Sequence, residues 1–155
     1  MITVRNATPS DCESARALEK EIFKLHRSNR PDMFRFRENS RTREQFEEML
    51  SDNRLVLLAE EDGAVVGQVF AFIREIKNHP VFNDAKWLEI DEISIAEGKR
   101  NMGIGTMLFS ALKNGTRDMG LNHIELTVWG FNDSAKAFYR KMGMQSGIDR
   151  LEMNI

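Results

Sequence analysis

The chain has 155 residues, of which 41% are hydrophobic and 30% are charged, and its formal net charge at pH 7 is -2. This length suits one ordinary domain, so residues 1–155 are predicted to form a single soluble globular unit. The near-neutral balance argues against a general nucleic-acid binder, and no apolar stretch approaches the roughly 18 residues of a membrane span, so neither nucleic acid nor a membrane is an expected partner.

The first part of the chain predicts a strand followed by a helix. Residues Ile2 to Ala7 are strand-like. Thr8 is a suitable helix N-cap, and Pro9 suits the first helical position. Apolar residues three or four positions apart then mark one helix face: Ala15, Leu18, Ile22 and Leu25. From His26 to Arg41 this period is lost and Pro31 interrupts the chain, which predicts a loop.

A short helix and a hairpin are predicted next. Thr42 and Gln45 match a capping box, and the helix that follows has its apolar face at Phe46, Met49 and Leu50. The continuous apolar run Leu55 to Ala59 predicts a strand. Glu61-Asp62-Gly63 is a turn sequence, and Ala64 to Ile76 is a second strand-like segment, so the pair resembles a hairpin.

The second half begins with a strand, a glycine-rich segment and a helix. Lys86 to Ala96 is strand-like. The sequence EGKRNMGIG follows, and the helix after it has one apolar face, made of Ile104, Met107, Leu108, Ala111 and Leu112. Gly120 suits the C-cap of this helix. His123 to Trp129 alternates in polarity, which predicts another strand.

A last helix and a last strand complete the prediction. Asn132 or Asp133 caps the helix, and Gly143 ends it. Gln145 to Met153 is predicted to be a final strand. The order β-α-α-β-β-β-α-β-α-β predicts an α/β (α+β) fold with one mostly antiparallel sheet flanked by helices, in which the unit from residue 86 to 129 adds one parallel pair.

Metal binding and secretion are not indicated. Cys12 is the only cysteine, so neither an internal disulfide nor a cysteine-based zinc site is available. The three histidines lie far apart in sequence and have no metal-ligand spacing, so no metal site is predicted. The N-terminal sequence lacks the apolar core of a signal peptide, and a cytoplasmic protein is expected.

The segment from Ile93 to Thr106 carries the clearest functional signal. A strand ends, a glycine-rich turn follows and a helix begins, where backbone N–H groups lack partners and the helix dipole adds partial positive charge. Gly103 and Gly105 let a ligand approach the backbone, and Lys99 and Arg100 add charge. The arrangement predicts a phosphate site.

Two common glycine-loop motifs do not fit this segment. A Walker A motif needs G-K-[ST], but the chain has Gly98-Lys99-Arg100. A Rossmann fingerprint needs a third glycine, where the chain has Leu108. The pattern R-x-x-G-x-G remains. Taken alone, it is also compatible with a helix start at which the glycines only allow the chain to turn and bind no ligand.

Two motifs together identify a family resemblance. Arg100-x-x-Gly103-x-Gly105 resembles the pyrophosphate-binding signature R-x-x-G-x-G/A of the GCN5-related N-acetyltransferase (GNAT) family. Further along, Asn132-Asp-Ser-Ala-Lys-Ala-Phe-Tyr-Arg-Lys-Met-Gly143 resembles that family's pattern N-x-x-A-x-x-F-Y-x-x-x-G. The resemblance covers essentially the whole chain. It implies the GNAT fold with a splayed parallel strand pair, and acetyl-CoA as cosubstrate without a metal.

The resemblance also implies where acetyl-CoA binds. Its pantetheine arm lies between the splayed strands and pairs with the backbone of Ile93, Ser94 and Ile95. A backbone N–H near Ile93 polarises the thioester carbonyl, and N–H groups of the glycine loop hold the pyrophosphate. The remaining expected contacts are Arg100, Asn101, Met102, Gly103, Ile104, Gly105, Thr106, Asn132, Ala135, Phe138 and Tyr139. Purely structural roles stay open for the strand residues, as sheet core, and for Asn132, as an N-cap.

Acetyl transfer needs a group that protonates the CoA thiolate and one that takes a proton from the amine. Tyr139 is the candidate acid, because a phenol with a pKa of about 10 is protonated at pH 7. The candidate bases, in order of preference, are Asp91, Glu92 and Glu89, with water as the alternative. Strand parity puts Glu89 and Asp91 on one face and Glu92 on the other, unless a β-bulge near Ile93 shifts it.

The acceptor site is expected beside residues 26–41, with Pro31, Phe34 and Phe36 as candidate wall residues and Pro80-Val81-Phe82 as a second wall. The predicted function is acetyl transfer to a primary amine. A small-molecule acceptor is favoured, because no additional domain is expected that would dock a protein. The alternatives are a protein N-terminal or lysine acetyltransferase, a non-catalytic acyl-CoA-binding sensor, and another kind of nucleotide-binding domain. A homodimer is common in the family.

Overall fold

The computed structural model describes residues 1–36 and 41–155. Residues 37–40, which belong to the predicted loop, lie outside the described part. The strands are β1 (Ile2–Asn6), β2 (Arg54–Glu61), β3 (Ala64–Ile76), β4 (Ala85–Ile95) and β5 (Ile124–Leu126). The α-helices are α1 (Cys12–Asn29), α2 (Arg43–Glu48), α3 (Ile104–Asp118) and α4 (Asp133–Lys141). Short 3-10 turns occur at Pro9–Asp11 and Glu97–Lys99.

The strands form one mixed sheet in the order β1-β2-β3-β4-β5. Neighbouring strands from β1 to β4 are antiparallel, and β4 pairs with β5 in parallel. The mixed α/β class and the single parallel pair predicted from the order of elements are confirmed. A parallel pair needs a crossover connection, which α3 supplies here.

Helices cover both faces of the sheet. On one face, α3 buries Ile104, Leu108 and Leu112 against the sheet core. On the other face, α1 and α2 enclose Phe46, which meets Phe70 edge-on with ring centroids 6.3 Å apart. Full burial of each such side chain contributes roughly 1.5–3 kcal/mol. The two layers therefore bury the sheet on both faces.

The structure lengthens α1 beyond its predicted end. The loop predicted from His26 begins only after Asn29, because the N–H of Arg30 donates to the carbonyl of His26 at 2.8 Å and closes another helical turn. The sequence period is lost earlier because this last turn is largely exposed. The Thr42–Gln45 capping box predicted for α2 is confirmed, with mutual backbone-to-side-chain bonds of 2.8 and 3.2 Å.

The C-terminal strand prediction is wrong. Residues 145–155 have no regular secondary structure, and Ile148 and Leu151 are almost fully exposed. Alternating polarity selects the side chains of one face, but a strand also needs a neighbour to receive its backbone hydrogen bonds. β5, predicted over residues 123–129, is only three residues long and offers little edge for pairing. None of the described helices is long and apolar enough to cross a membrane.

Candidate active site

β4 and β5 separate halfway along β4. Their parallel pairing ends at Ile90 and Leu126, whereas β4 continues to Ile95. Residues 92–95 stay paired with β3 on one side. Among the described residues no strand pairs with their other edge. Backbone groups along such an edge are available to an extended ligand.

A β-bulge occurs where the strands separate. Ile90 and Glu92 of β4 pair with adjacent residues of β3, Ala71 and Phe70. Asp91 is therefore the extra residue of the bulge. A bulge bends the strand and redirects side chains, and here it coincides with the point at which β5 leaves the sheet.

The bulge changes which carboxylates share a face. Glu92 pairs with Phe70 and Glu89 pairs with Phe72, two positions apart on β3. Since directly paired residues lie on one face, Glu89 and Glu92 share the α1 side of the sheet. Simple strand parity, which grouped Glu89 with Asp91, therefore does not hold, and the alternative of a β-bulge near Ile93 that shifts the parity is confirmed.

A cavity of about 720 Å³ opens between the separated strand, the glycine loop and α4. It brings together all but one of the predicted acetyl-CoA contacts: Ile93, Ser94, Ile95, Arg100, Asn101, Gly103, Ile104, Gly105, Thr106, Asn132, Ala135, Phe138 and Tyr139. Met102 is the exception. It does not line the cavity, and 53% of its surface is exposed, because the loop turns it toward solvent between two residues of positive φ.

The glycine loop owes its shape to left-handed backbone at two positions. Asn101 has φ 62° and Gly103 has φ 81°, and Gly103 is the N-cap of α3. The first N–H groups of a helix have no acceptor within it, so Ile104, Gly105 and Thr106 bring such donors to the cavity lining. The ring of Phe138 lies 3.2 Å from where a Cβ at Gly105 would stand, so glycine permits this close approach.

Arg100 is held by neighbours within the same cavity. Its Nε donates to the carbonyl of Ile95 at 3.2 Å, and its Nη2 lies 3.4 Å from Oε2 of Glu21. The same Glu21 oxygen accepts the backbone N–H of Glu97 at 2.9 Å. Lys99 forms an ion pair with Glu61. The cationic residues of the loop are thus positioned by carboxylates from α1 and β2.

A smaller cavity of about 110 Å³ adjoins the first. Asp91 and Glu92 line it on one side, and Tyr139 and Asn132 line both cavities. The sequence motifs for cofactor binding, the candidate acid and two of the candidate bases therefore lie around two adjoining cavities. Glu89 lines neither cavity and binds Arg74 at 2.8 Å instead.

Glu92 lies in a buried polar network beneath the bulge. Its Oε1 accepts Gln68 Nε2 at 2.9 Å and Ser94 Oγ at 2.8 Å. Burial nevertheless raises the pKa of Glu92 above its usual value, because desolvation outweighs these two donors. Glu19 of α1 lies close by and binds Arg41 at 2.5 Å. Burial and the neighbouring Glu92 raise the pKa of Glu19 to about 7.

Tyr139 lies on the inner side of α4, where its ring meets Phe138 at 5.3 Å. Burial, with a smaller contribution from the charge of Glu92, raises the pKa of the Tyr139 phenol to about 12. The hydroxyl is therefore protonated throughout the neutral range. Asn132 caps α4, because its Oδ1 accepts the N–H of Ala135 at 3.2 Å. Asn132 also lines the cavity, so this structural role is compatible with a contact to the ligand.

The predicted acceptor walls are only partly assembled. Phe34 packs near the smaller cavity, stacked on His26 at 5.1 Å. Pro31 and Phe36 are exposed. Residues 80–82 line neither cavity, and Val81 and Phe82 are mostly exposed.

Some lining residues were not singled out from the sequence. Glu21 lines the larger cavity and Trp129 the smaller one, and His26, the first residue of the segment expected beside the acceptor, also lines the smaller one. Glu21 directly precedes Ile22, which belongs to the apolar face predicted for α1. This adjacency is the one sequence feature that indicates a position near the sheet for Glu21. For His26 and Trp129 no local pattern marks the role, because it depends on the contact between α1 and the segment that follows β5.

The splayed strands and the glycine loop agree with a comparison to known families. The profile of the Acetyltransferase (GNAT) family matches residues 20–144. The chain belongs to the GNAT acetyltransferase family. This GNAT protein is accordingly an acyltransferase that uses acetyl-CoA, as the two motifs implied. The fold expected from the resemblance is confirmed.

Solved structures show the same fold over the whole chain. A variant of the BH1408 protein from Bacillus halodurans is 26% identical, with a TM-score of 0.94 and 99% of each chain covered. Aminoglycoside N-acetyltransferase AAC(6')-Iy in complex with CoA is 16% identical, with a TM-score of 0.75 over 99% of this chain and 98% of that one. The aminoglycoside acetyltransferase meta-AAC0020 from an uncultured soil metagenomic sample, in complex with sisomicin, is 14% identical, with a TM-score of 0.73 over 99% and 96%. No functionally curated protein matches the sequence.

Proposed function

We propose that this GNAT enzyme transfers the acetyl group of acetyl-CoA to a primary amine of a small molecule by direct attack in the gap between β4 and β5. The observation that carries the proposal is the meeting of two cavities at Tyr139. The acetyl-CoA motifs lie along the larger cavity, and Asp91 and Glu92 lie along the smaller one.

Acetyl-CoA occupies the larger cavity in this proposal. The backbone of residues 93–95 pairs with the pantetheine arm, and the donors at the start of α3 bind the pyrophosphate. Arg100 adds a cation that is already oriented by Ile95 and Glu21. The thioester then lies near Ile93, whose N–H stabilises the negative charge that develops on the carbonyl oxygen.

The amine enters from the smaller cavity and loses a proton before attack. We place Glu92 ahead of Asp91 as the proton acceptor. Burial raises its pKa toward that of an amine, which makes it a stronger base, and Gln68 and Ser94 hold it in place. Asp91 is exposed at the bulge and is the second candidate, acting directly or through water.

Tyr139 completes the reaction as the general acid. Attack by nitrogen forms the C–N bond and moves an electron pair to the carbonyl oxygen. Collapse of that intermediate breaks the C–S bond, and the CoA thiolate takes the phenolic proton. A phenol with a pKa of about 12 remains protonated until the thiolate forms. The nitrogen of the new amide still carries one extra proton, which passes directly or through water to the phenolate, and Glu92 releases the first proton to solvent.

A small-molecule acceptor is supported by the size and position of the smaller cavity, which has about 110 Å³ and lies between α1 and the chain after β5. The fold neighbours that act on aminoglycosides support the same class of acceptor by analogy.

A mass-resolved screen of amines with acetyl-CoA tests the function, with CoA thiol release as a parallel readout. Acetylated product and thiol in equal amounts are expected for at least one small amine. Product only on peptides would reassign the acceptor to a protein. Acetyl-CoA binding without turnover on any amine would favour a sensor, and tight ATP or NAD binding without CoA binding would overturn the cofactor assignment.

A further inference from the structure

Four rings form a continuous aromatic surface between α1 and the segment that joins β5 to α4. The aromatic cluster consists of His26, Phe34, Trp129 and Phe131. His26 stacks on Phe34 with ring centroids 5.1 Å apart, and Phe34 meets Trp129 edge-on at 5.3 Å. Trp129 stacks on Phe131 at 6.3 Å with an angle of 15° between the rings.

The aromatic cluster borders both cavities. His26 and Trp129 line the smaller cavity beside Asp91, Glu92 and Tyr139, while Phe131 lines the larger one. Each ring residue of the cluster is only partly buried. The rings therefore retain surface that a ligand in the acceptor position can cover.

The cluster is poorly suited to a polycation. Arg30 places its guanidinium 5.2 Å from the centre of the Trp129 ring and binds Asp32 and Glu152 at 2.8 and 2.7 Å. These two carboxylates are thus already paired with an arginine. Burial lowers the pKa of His26, which favours the neutral ring as an aromatic contact surface.

We propose that the aromatic cluster binds the flat apolar body of the acceptor, and that the acceptor class is a primary amine carried on a short chain from an aromatic ring. The inference rests on the proposed acetyl transfer. His26 and Trp129 line the smaller cavity together with Glu92 and Tyr139, so an aryl group held by either ring keeps its amine within reach of that cavity. Offset or edge-on ring contacts add attraction beyond simple burial of apolar area.

Matched acceptors separate aromatic recognition from general apolarity. The amines are 2-phenylethylamine, 2-cyclohexylethylamine with the same chain, and spermidine as a polycation. We expect kcat/KM for the phenyl compound to exceed that for the cyclohexyl compound by about threefold to tenfold, the size of one ring contact, and to exceed that for spermidine by more. Calorimetry with the enzyme–CoA complex should give the same order of affinities without turnover.

Variants then assign the preference to the aromatic cluster. Trp129→Leu should remove most of the phenyl preference while leaving the KM for acetyl-CoA unchanged. Phe34→Leu is the second variant, in case Trp129→Leu fails to fold by circular dichroism. The control is Phe72→Leu on β3. The ring of Phe72 lies 5.9 Å from the guanidinium of Arg54 and 5.3 Å from that of Arg74, and Phe72 lines neither cavity. The Phe72→Leu protein should keep the phenyl preference of the unmodified enzyme.

Three results would overturn the inference. Spermidine as the better acceptor, or equal kcat/KM for the phenyl and cyclohexyl compounds, would leave the proposed function standing and remove the aromatic acceptor class. A phenyl preference that survives in folded Trp129→Leu and Phe34→Leu proteins would make the cluster a packing element only. Acetyl-CoA binding with no acetylation of any amine would overturn the proposed function and this inference together.

Discussion

Oε2 of Glu21 lies 3.4 Å from Nη2 of Arg100, and both residues line the larger cavity. The same oxygen accepts the N–H of Glu97 at 2.9 Å. A carboxylate that binds one arginine and one backbone N–H makes the contacts that a phosphate oxygen makes. Glu21 therefore both orients Arg100 and places a negative charge beside the site proposed for the pyrophosphate.

Glu21→Gln should tighten acetyl-CoA binding by about twofold to fivefold, because repulsion of a partly exposed, like-charged group is modest in water. Calorimetry at low and high salt measures this gain, which should shrink as salt screens the charges. Glu13→Gln is the matched control, since Glu13 lies on the same helix and binds Arg16 at 2.6 Å. Weaker binding by Glu21→Gln would mean that orientation of Arg100 outweighs repulsion.

Gly103→Ala should weaken acetyl-CoA binding about fivefold to thirtyfold, because left-handed backbone costs an alanine roughly 1–2 kcal/mol. A Cβ at Gly103 would meet nothing within 4 Å, so φ 81° and not a clash is the cause. Gly98→Ala in the same loop is the control, because a Cβ there also meets nothing and its φ is not positive. Equal affinities of the two variants would contradict this account.

Tyr139→Phe should lower kcat by about 10²–10⁴-fold, the usual contribution of a positioned general acid. The dissociation constant of acetyl-CoA should stay within a factor of two or so, because the variant keeps the ring contact with Phe138. Single-turnover kinetics with a good amine measure the first quantity, and calorimetry measures the second. An unchanged single-turnover rate would assign the acid role elsewhere.

Glu92→Gln should lower kcat/KM by about 10²-fold or more if Glu92 takes the proton from the amine. In the unmodified enzyme kcat/KM should fall as pH drops through the raised pKa of Glu92, and this limb should disappear in the variant. Asp91→Asn is the matched control one residue away. If Asp91→Asn carries the loss and Glu92→Gln does not, the base is Asp91.

The same Glu92→Gln variant makes a second prediction with a fixed sign. Because folding raises the pKa of Glu92 above its usual 4.5, the group favours the folded state below that value, and its contribution is lost as pH rises through the raised pKa. At pH 8 the variant should therefore be at least as stable as the unmodified protein by urea denaturation. A clear loss of stability at pH 8 would mean that the hydrogen bonds from Gln68 and Ser94 outweigh the buried charge.

Local sequence was sufficient for the parts of the candidate site that come from contiguous residues. Arg100, Gly103 and Gly105 belong to one strand-turn-helix segment, and the structure places them together in the larger cavity. The same holds for Asn132 and Tyr139, because helix geometry keeps their spacing on α4. For these residues, the separation along the chain within one element already determines how far apart the side chains lie.

Residues from different elements could not be assembled in this way. Strand parity failed at Asp91 because the bulge inserts one residue into β4, and the strand expected at residues 145–153 found no partner. Glu89 lines neither cavity and forms an ion pair with Arg74 instead. Each of these depends on which neighbouring strand or side chain is present, and polarity patterns do not encode that.

The sequence by itself determined the family, the glycine loop and the candidate acid, since these depend on residue type at short, regular spacing. Only the tertiary structure decided which carboxylate is buried in the cavity lining, and that Glu21, His26 and Trp129 join the site. The reason is physical: the site lies where two paired strands part, and its shape and pKa values come from packing between α1, β4 and the chain after β5.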